Sequence, residues 1–192
     1  MALVVFLRGV NVGRHKRFLP AALAKDLAAY DVVNVGAAGT FVVRATVPRA
    51  TLQTEVRTRL AFDADIIIVG GRELIEFARS GPFGLRPPAG SEQRFLSVML
   101  KPLAAPTCPT KRAARRWKLR SREGGPALPL MYPANDAWQV KTVAISGRFV
   151  ASIWRRQAGT PIYPNAAVEK QFGVSTTRNW NTVETICKIL QP

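Results

Sequence analysis

The chain has 192 residues, 47% of them hydrophobic, enough to bury one large core or two small ones and too many for a disordered polymer. Lysine and arginine number 28 against 12 acidic residues, a net charge of +16. Apolar runs such as Ile66 to Gly71 fall far short of the ~20 residues that cross a bilayer, which excludes a helical membrane protein.

Charge is uneven along the chain: residues 1–85 carry 11 basic and 7 acidic side chains (+4), residues 86–192 carry 17 and 5 (+12). The apolar start, Met1 to Val5, follows no basic segment and is interrupted by Arg8, unlike an export signal. Cys108 and Cys187 stand 79 positions apart and His15 is the one histidine, so neither a disulfide framework nor zinc-ligand spacing is present. A cytoplasmic protein without metal or cofactor is expected.

Leu3 to Leu7 reads as a mostly buried strand, ended by the turn residues Arg8-Gly9-Val10-Asn11-Val12-Gly13. Pro20 suits a first helical turn, and Leu19, Leu23 and Leu27 predict a helix over residues 20–30. Strands follow at Asp31 to Val35 and Phe41 to Thr46, joined by Gly36-Ala37-Ala38-Gly39. After Pro48, the four-residue spacing of Leu52, Val56 and Leu60 predicts a second helix, Asp65 to Val69 a strand, and Leu74, Ile75, Phe77 and Ala78 a third helix after Gly70-Gly71.

This β-α-β-β-α-β-α order predicts a ferredoxin-like module, with two helices on one face of an antiparallel sheet. Three prolines and three glycines between Gly81 and Ser91 place a boundary there. The fold expected is α+β in two small modules: residues 1–85, ferredoxin-like, and residues 91–192, a smaller basic α+β module. Its predicted parts are a strand at Arg94 to Lys101, a basic helix around Lys111 to Leu119, and strands at Leu128 to Tyr132, Trp138 to Ile145 and Arg148 to Arg155. Ser146-Gly147 gives a hairpin signal, and Asn165 to Phe172 and Asn181 to Leu190 are the last helices.

Two stretches are specific enough to carry a family resemblance: Leu7-Arg8-Gly9-Val10-Asn11-Val12-Gly13, and Thr177-Arg178-Asn179-Trp180-Asn181-Thr182-Val183. With Gly81-Pro82-Phe83, Pro164-Asn165-Ala166-Ala167-Val168-Glu169 and Phe172-Gly173-Val174, the chain resembles the bacterial family known as domain of unknown function 1697 along nearly its whole length. Ala38-Gly39-Thr40 stands where that family usually has Ser-Gly-Asn, and Gly159-Thr160-Pro161 where it has a lysine-rich loop. The resemblance implies a two-module α+β protein and implies no reaction.

Lys111, Arg112, Arg115, Arg116, Lys118 and Arg120, interleaved with Trp117, form an acid-free run that reads either as a footprint for nucleic acid or another polyanion, or as a solvated face. Arg148, Arg155 and Arg156, beside Trp138 and Trp154, either extend that footprint with a stacking surface or leave the tryptophans to the core.

A second reading places a small phosphorylated or carboxylated ligand in a cleft between the modules, held by Arg8, Asn11, Gly13, Arg178 and Asn179. The first loop lacks both the P-loop ending and the dinucleotide spacing, and equally suits a structural turn. Asn181 with Glu184 reads as a capping box with Trp180 as its staple. A third reading is self-association or a protein partner, with the arginines serving solubility.

No catalytic residue is named, and whether the protein is an enzyme stays open. His15 lies among basic neighbours, Asp63 and Asp65 read as a shared metal or proton site or as turn formers, the serines lack an elbow motif, and Cys108 lacks a histidine partner.

Overall fold

A computed structural model describes residues 1–10, 18–85, 89–103 and 128–191. It is an α+β protein with two antiparallel sheets, and its contacts group into two compact units. The first unit is Met1–Glu76 with Asn181–Pro192, the second Phe77–Trp180. The C-terminal helix thus belongs with the first unit, although sequence order placed it in the second module, and the chain leaves the first unit within a helix instead of in the Pro/Gly segment.

In the first unit, β1 (Leu3–Arg8) is followed by α1 (Pro20–Asp26), a 3-10 turn (Ala28–Tyr30), β2 (Val32–Asn34), β3 (Thr40–Val43), α2 (Arg49–Arg59), β4 (Asp65–Gly70) and α3 (Gly71–Arg79). The strand order is β2-β3-β1-β4, so β3 separates the two strands of the first βαβ connection. Register sets Val5 opposite both Phe41 and Ile68, and Leu3 opposite Val43. These side chains share one face, packed with Leu23 of α1, Leu27 just after it, and Leu52 and Val56 of α2. Val4, Phe6, Val42, Ile67 and Val69 on the other face are equally buried, which is why β1 shows no alternation.

The helix expected over residues 20–30 breaks after Asp26, and Leu19 caps it as an exposed residue, leaving Leu23 and Leu27 as the buried stripe. Glycine is required at Gly39, where φ is +68° and a Cβ would lie 2.9 Å from both Leu7 Cβ and Val10 Cγ2. Gly71 opens α3 under a similar constraint, since a Cβ there would meet Leu190 Cδ2 at 2.8 Å and the Ala2 carbonyl oxygen at 3.1 Å.

The second unit holds β5 (Glu92–Met99), β6 (Leu130–Tyr132), β7 (Val140–Ser146), β8 (Phe149–Arg155), α4 (Pro164–Phe172) and β9 (Ser175–Asn179), after which α5 (Trp180–Leu190) begins. Its strand order is β6-β7-β8-β5-β9. Met99, Ile145 and Val150 pack with Val168 and Phe172 of α4 on one face. On the other face Leu96, Val98, Ala151 and Phe149 are buried, and the Phe149 ring lies 5.2 Å from that of Phe77.

The β7–β8 turn falls one residue later than its sequence signal: Ser146 pairs with Phe149, and Gly147 (φ +54°) with Arg148 makes the loop. Strand β9 was not foreseen. It runs into α5 without a linker, so Asn181 lies inside the first turn instead of capping it, and Trp180 meets Phe83 edge-on at 4.8 Å.

Candidate functional site

The second unit concentrates the charge: 17 basic against 4 acidic residues, +13, compared with 11 against 8, +3, in the first. The β7–β8 hairpin sets its open ends side by side, with Val140 opposite Trp154. Trp138, just before β7, therefore meets Arg155 at the end of β8. The Arg155 guanidinium lies 3.9 Å from the Trp138 ring centroid, and Lys141 Nζ lies 5.5 Å from it. Arg155 Nε donates to the Trp138 carbonyl at 2.8 Å, and a second guanidinium nitrogen donates to the Asp136 carbonyl. Arg155 is thus fixed by backbone carbonyls and by the Gln157 side-chain amide, with no carboxylate consumed, and the half-exposed indole carries two cations.

The neighbouring Trp154 serves a different surface. Its Nε1–H donates to the Ile162 carbonyl at 2.8 Å, and its ring stacks with that of Tyr163, 12° from parallel with centroids 6.0 Å apart. Buried Gln139 holds the same loop twice, donating from Nε2 to the Thr160 carbonyl at 3.1 Å and accepting from the Ile162 amide at 2.7 Å. Around Trp154 and Tyr163, Arg156, Gln157, Gly159 and Pro161 complete a recess of about 140 Å³. Small-molecule pockets usually measure ~300–1,000 Å³, so this one suits part of a ligand.

A second cluster joins two stretches that carried the family resemblance. Phe83, from the Gly-Pro-Phe step, contacts Trp180, and the Arg94 guanidinium sits 5.0 Å above the Phe83 ring. Leu96 pairs with Arg178 and Arg94 lies two residues before Leu96, so the two arginines share a sheet face. Arg178 is buried, donates to Thr176 Oγ1 at 2.8 Å and the Thr177 carbonyl at 2.9 Å, and burial lowers its pKa to about 10.

The remaining expected residues are dispersed. Arg8 sits in the first unit, 3.2 Å from Asp65, while Arg178 and exposed Asn179 belong to the second. Asn11 and Gly13, His15, Cys108, and the whole set Lys111, Arg112, Arg115, Arg116, Trp117, Lys118 and Arg120 lie outside the described residues. Asp63 and Asp65 each face an arginine, Arg57 at 3.8 Å and Arg8 at 3.2 Å. Among the described residues no group of three or more His, Cys, Asp or Glu side chains forms a metal site, and no helix is long and apolar enough to cross a membrane. Arg148 is turned onto the Met99 and Leu100 carbonyls, a structural role. Sequence reasoning missed Gln139, Lys141 and Tyr163; the signal for Tyr163 was an aromatic directly before the helix-starting Pro164.

The sequence profile of a family described as protein of unknown function (DUF1697) matches residues 1–123. The chain belongs to this family. The Thr177 to Val183 stretch lies beyond the matched residues. A conserved bacterial protein from Streptococcus pneumoniae has a similar solved structure, with a TM-score of 0.56 and 13% identity over 99% of this chain and 98% of that one. At that identity the likeness concerns the fold. No curated protein matches the chain.

Proposed function

We propose that this family member is a binding protein for nucleic acid or another polyanion, acting through its second unit. The observation that carries the reading is the Trp138 ring with Arg155 at 3.9 Å and Lys141 at 5.5 Å, in a unit of net charge +13. A cation held by backbone carbonyls keeps its full charge for a phosphate. Seven of the 17 basic residues of that unit lie in the acid-free run from Lys111 to Arg122. The alternative, a small anionic ligand held by Arg8 and Arg178, draws less support: Arg8 already faces Asp65, and Arg178 is buried.

Reversing charge at Arg112, Arg115 and Arg116 to glutamate, together with Lys141→Glu at the Trp138 ring, tests the reading by fluorescence anisotropy on a labelled oligonucleotide. The expected result is loss of binding with an unchanged far-UV spectrum and Tm. Undiminished binding by the folded variant contradicts it.

A further inference from the structure

We infer that the recess beside the Trp154–Tyr163 stack is a stacking site for one base of single-stranded nucleic acid, with Arg156 taking the adjoining phosphate. The inference rests on the polyanion reading and narrows it to a strand type and a place.

Tyr163 is 57% exposed although one face of its ring is stacked on Trp154, so the open part of the aromatic pair is directed to solvent. The Tyr163 ring rests on Trp154, and the backbone leading to it is anchored. Trp154 bonds the preceding carbonyl, Gln139 grips residues 160 and 162, and Pro164 starts α4 immediately after the ring. A platform ordered before binding avoids the entropy cost of assembling one.

Size and chemistry narrow the occupant. A volume of about 140 Å³ is close to the ~150 Å³ that accepts a benzene-sized molecule, enough for a single planar ring and too small for an entire metabolite. Exposed Arg156 supplies a fork of donors suited to a phosphate oxygen pair, and Gln157 lines the same recess with an amide. Bases of a duplex are stacked on each other and unavailable, whereas an unpaired strand can place one ring on an aromatic face. A unit of charge +13 selects a polyanionic carrier for that ring over an apolar peptide.

The test compares a labelled 15-nucleotide poly-dT with a duplex of equal length, using wild type and the variants Tyr163→Ala, Tyr163→Phe and Arg156→Ala. Tyr163→Ala is expected to weaken single-strand binding roughly 5- to 100-fold, the range for loss of one stacked base, and to leave duplex binding within about 2-fold. Tyr163→Phe is expected to keep single-strand affinity. Arg156→Ala is expected to make the single-strand salt slope shallower by about 0.7, one phosphate. Single-strand binding unchanged in Tyr163→Ala, or equal losses on both strand types, overturns the inference while leaving the polyanion reading in place. If wild type binds neither oligonucleotide at low salt, the underlying reading fails and the inference with it.

Discussion

Replacing Gln139 by alanine tests whether the loop carrying Tyr163 is held as described. The side chain is buried and makes two bonds to backbone groups, to the Thr160 carbonyl at 3.1 Å and from the Ile162 amide at 2.7 Å. Each such bond contributes about 0.5–1.5 kcal/mol net, and a donor left unsatisfied away from water costs about 1–3 kcal/mol. Thr160 is exposed, so its carbonyl regains water; Ile162 is half-buried, so its amide does so incompletely. The sum is a loss of about 2–3 kcal/mol, concentrated in the local opening of residues 160–163. Native-state hydrogen exchange read at the Ile162 amide measures it. Gln139→Glu adds a signed test: only the protonated acid can donate to the Thr160 carbonyl, so its folded pKa is raised above the unfolded value near 4.3. Its loop stability is then fully present below pH ~4 and lost as pH rises through the raised value. Unaltered Ile162 exchange in Gln139→Ala, or a pH-independent Gln139→Glu loop, refutes the reasoning.

Gly71→Ala should destabilise the first unit by about 1–3 kcal/mol in urea denaturation, because the new methyl meets Leu190 and an unyielding Ala2 carbonyl. Gly90→Ala, where nothing lies within 4 Å, should stay within about 0.5 kcal/mol and serves as its control. At Arg178 the lowered pKa of about 10 corresponds to a cost of about 3 kcal/mol for burying the charge at neutral pH. Arg178→Met removes that cost along with the bonds to Thr176 and Thr177, so its stability at pH 7 should fall within about 2 kcal/mol of wild type. Paired denaturation curves at pH 7 measure the difference, and a loss well beyond about 2 kcal/mol contradicts the assignment. Arg8→Ala should cost no more than about 1 kcal/mol by the same measurement, since the pair with Asp65 is more than a third exposed.

Periodicity made the first unit legible nearly strand by strand. Leu52 and Val56 gave α2 through their helical spacing, and the short β-branched run Ile66 to Val69, closed by Gly70-Gly71, gave β4. Strand β9 escaped because Ser175, Thr176, Thr177, Arg178 and Asn179 are all polar, while both faces of the strand are largely buried; neither alternation nor hydrophobicity marks it. The allegiance of the C-terminal helix was equally hidden, since chain order alone cannot say that Gly71 admits Leu190. At the candidate site, the basic and aromatic composition around Trp138 and Trp154 was visible. That Arg155 settles on Trp138 while Trp154 turns to Tyr163 follows from the pairing of β7 with β8, which sequence does not state.

If the charge of the second unit serves to bind a phosphate backbone, a salt titration of wild-type protein against a short oligonucleotide will show it. Measurable binding is expected at ~50 mM salt, with a log–log slope several units negative, at roughly 0.9 per neutralised duplex phosphate and 0.7 per single-strand phosphate. Absence of binding at that salt, or a slope near zero, would contradict it and leave the +16 charge as a feature of composition alone.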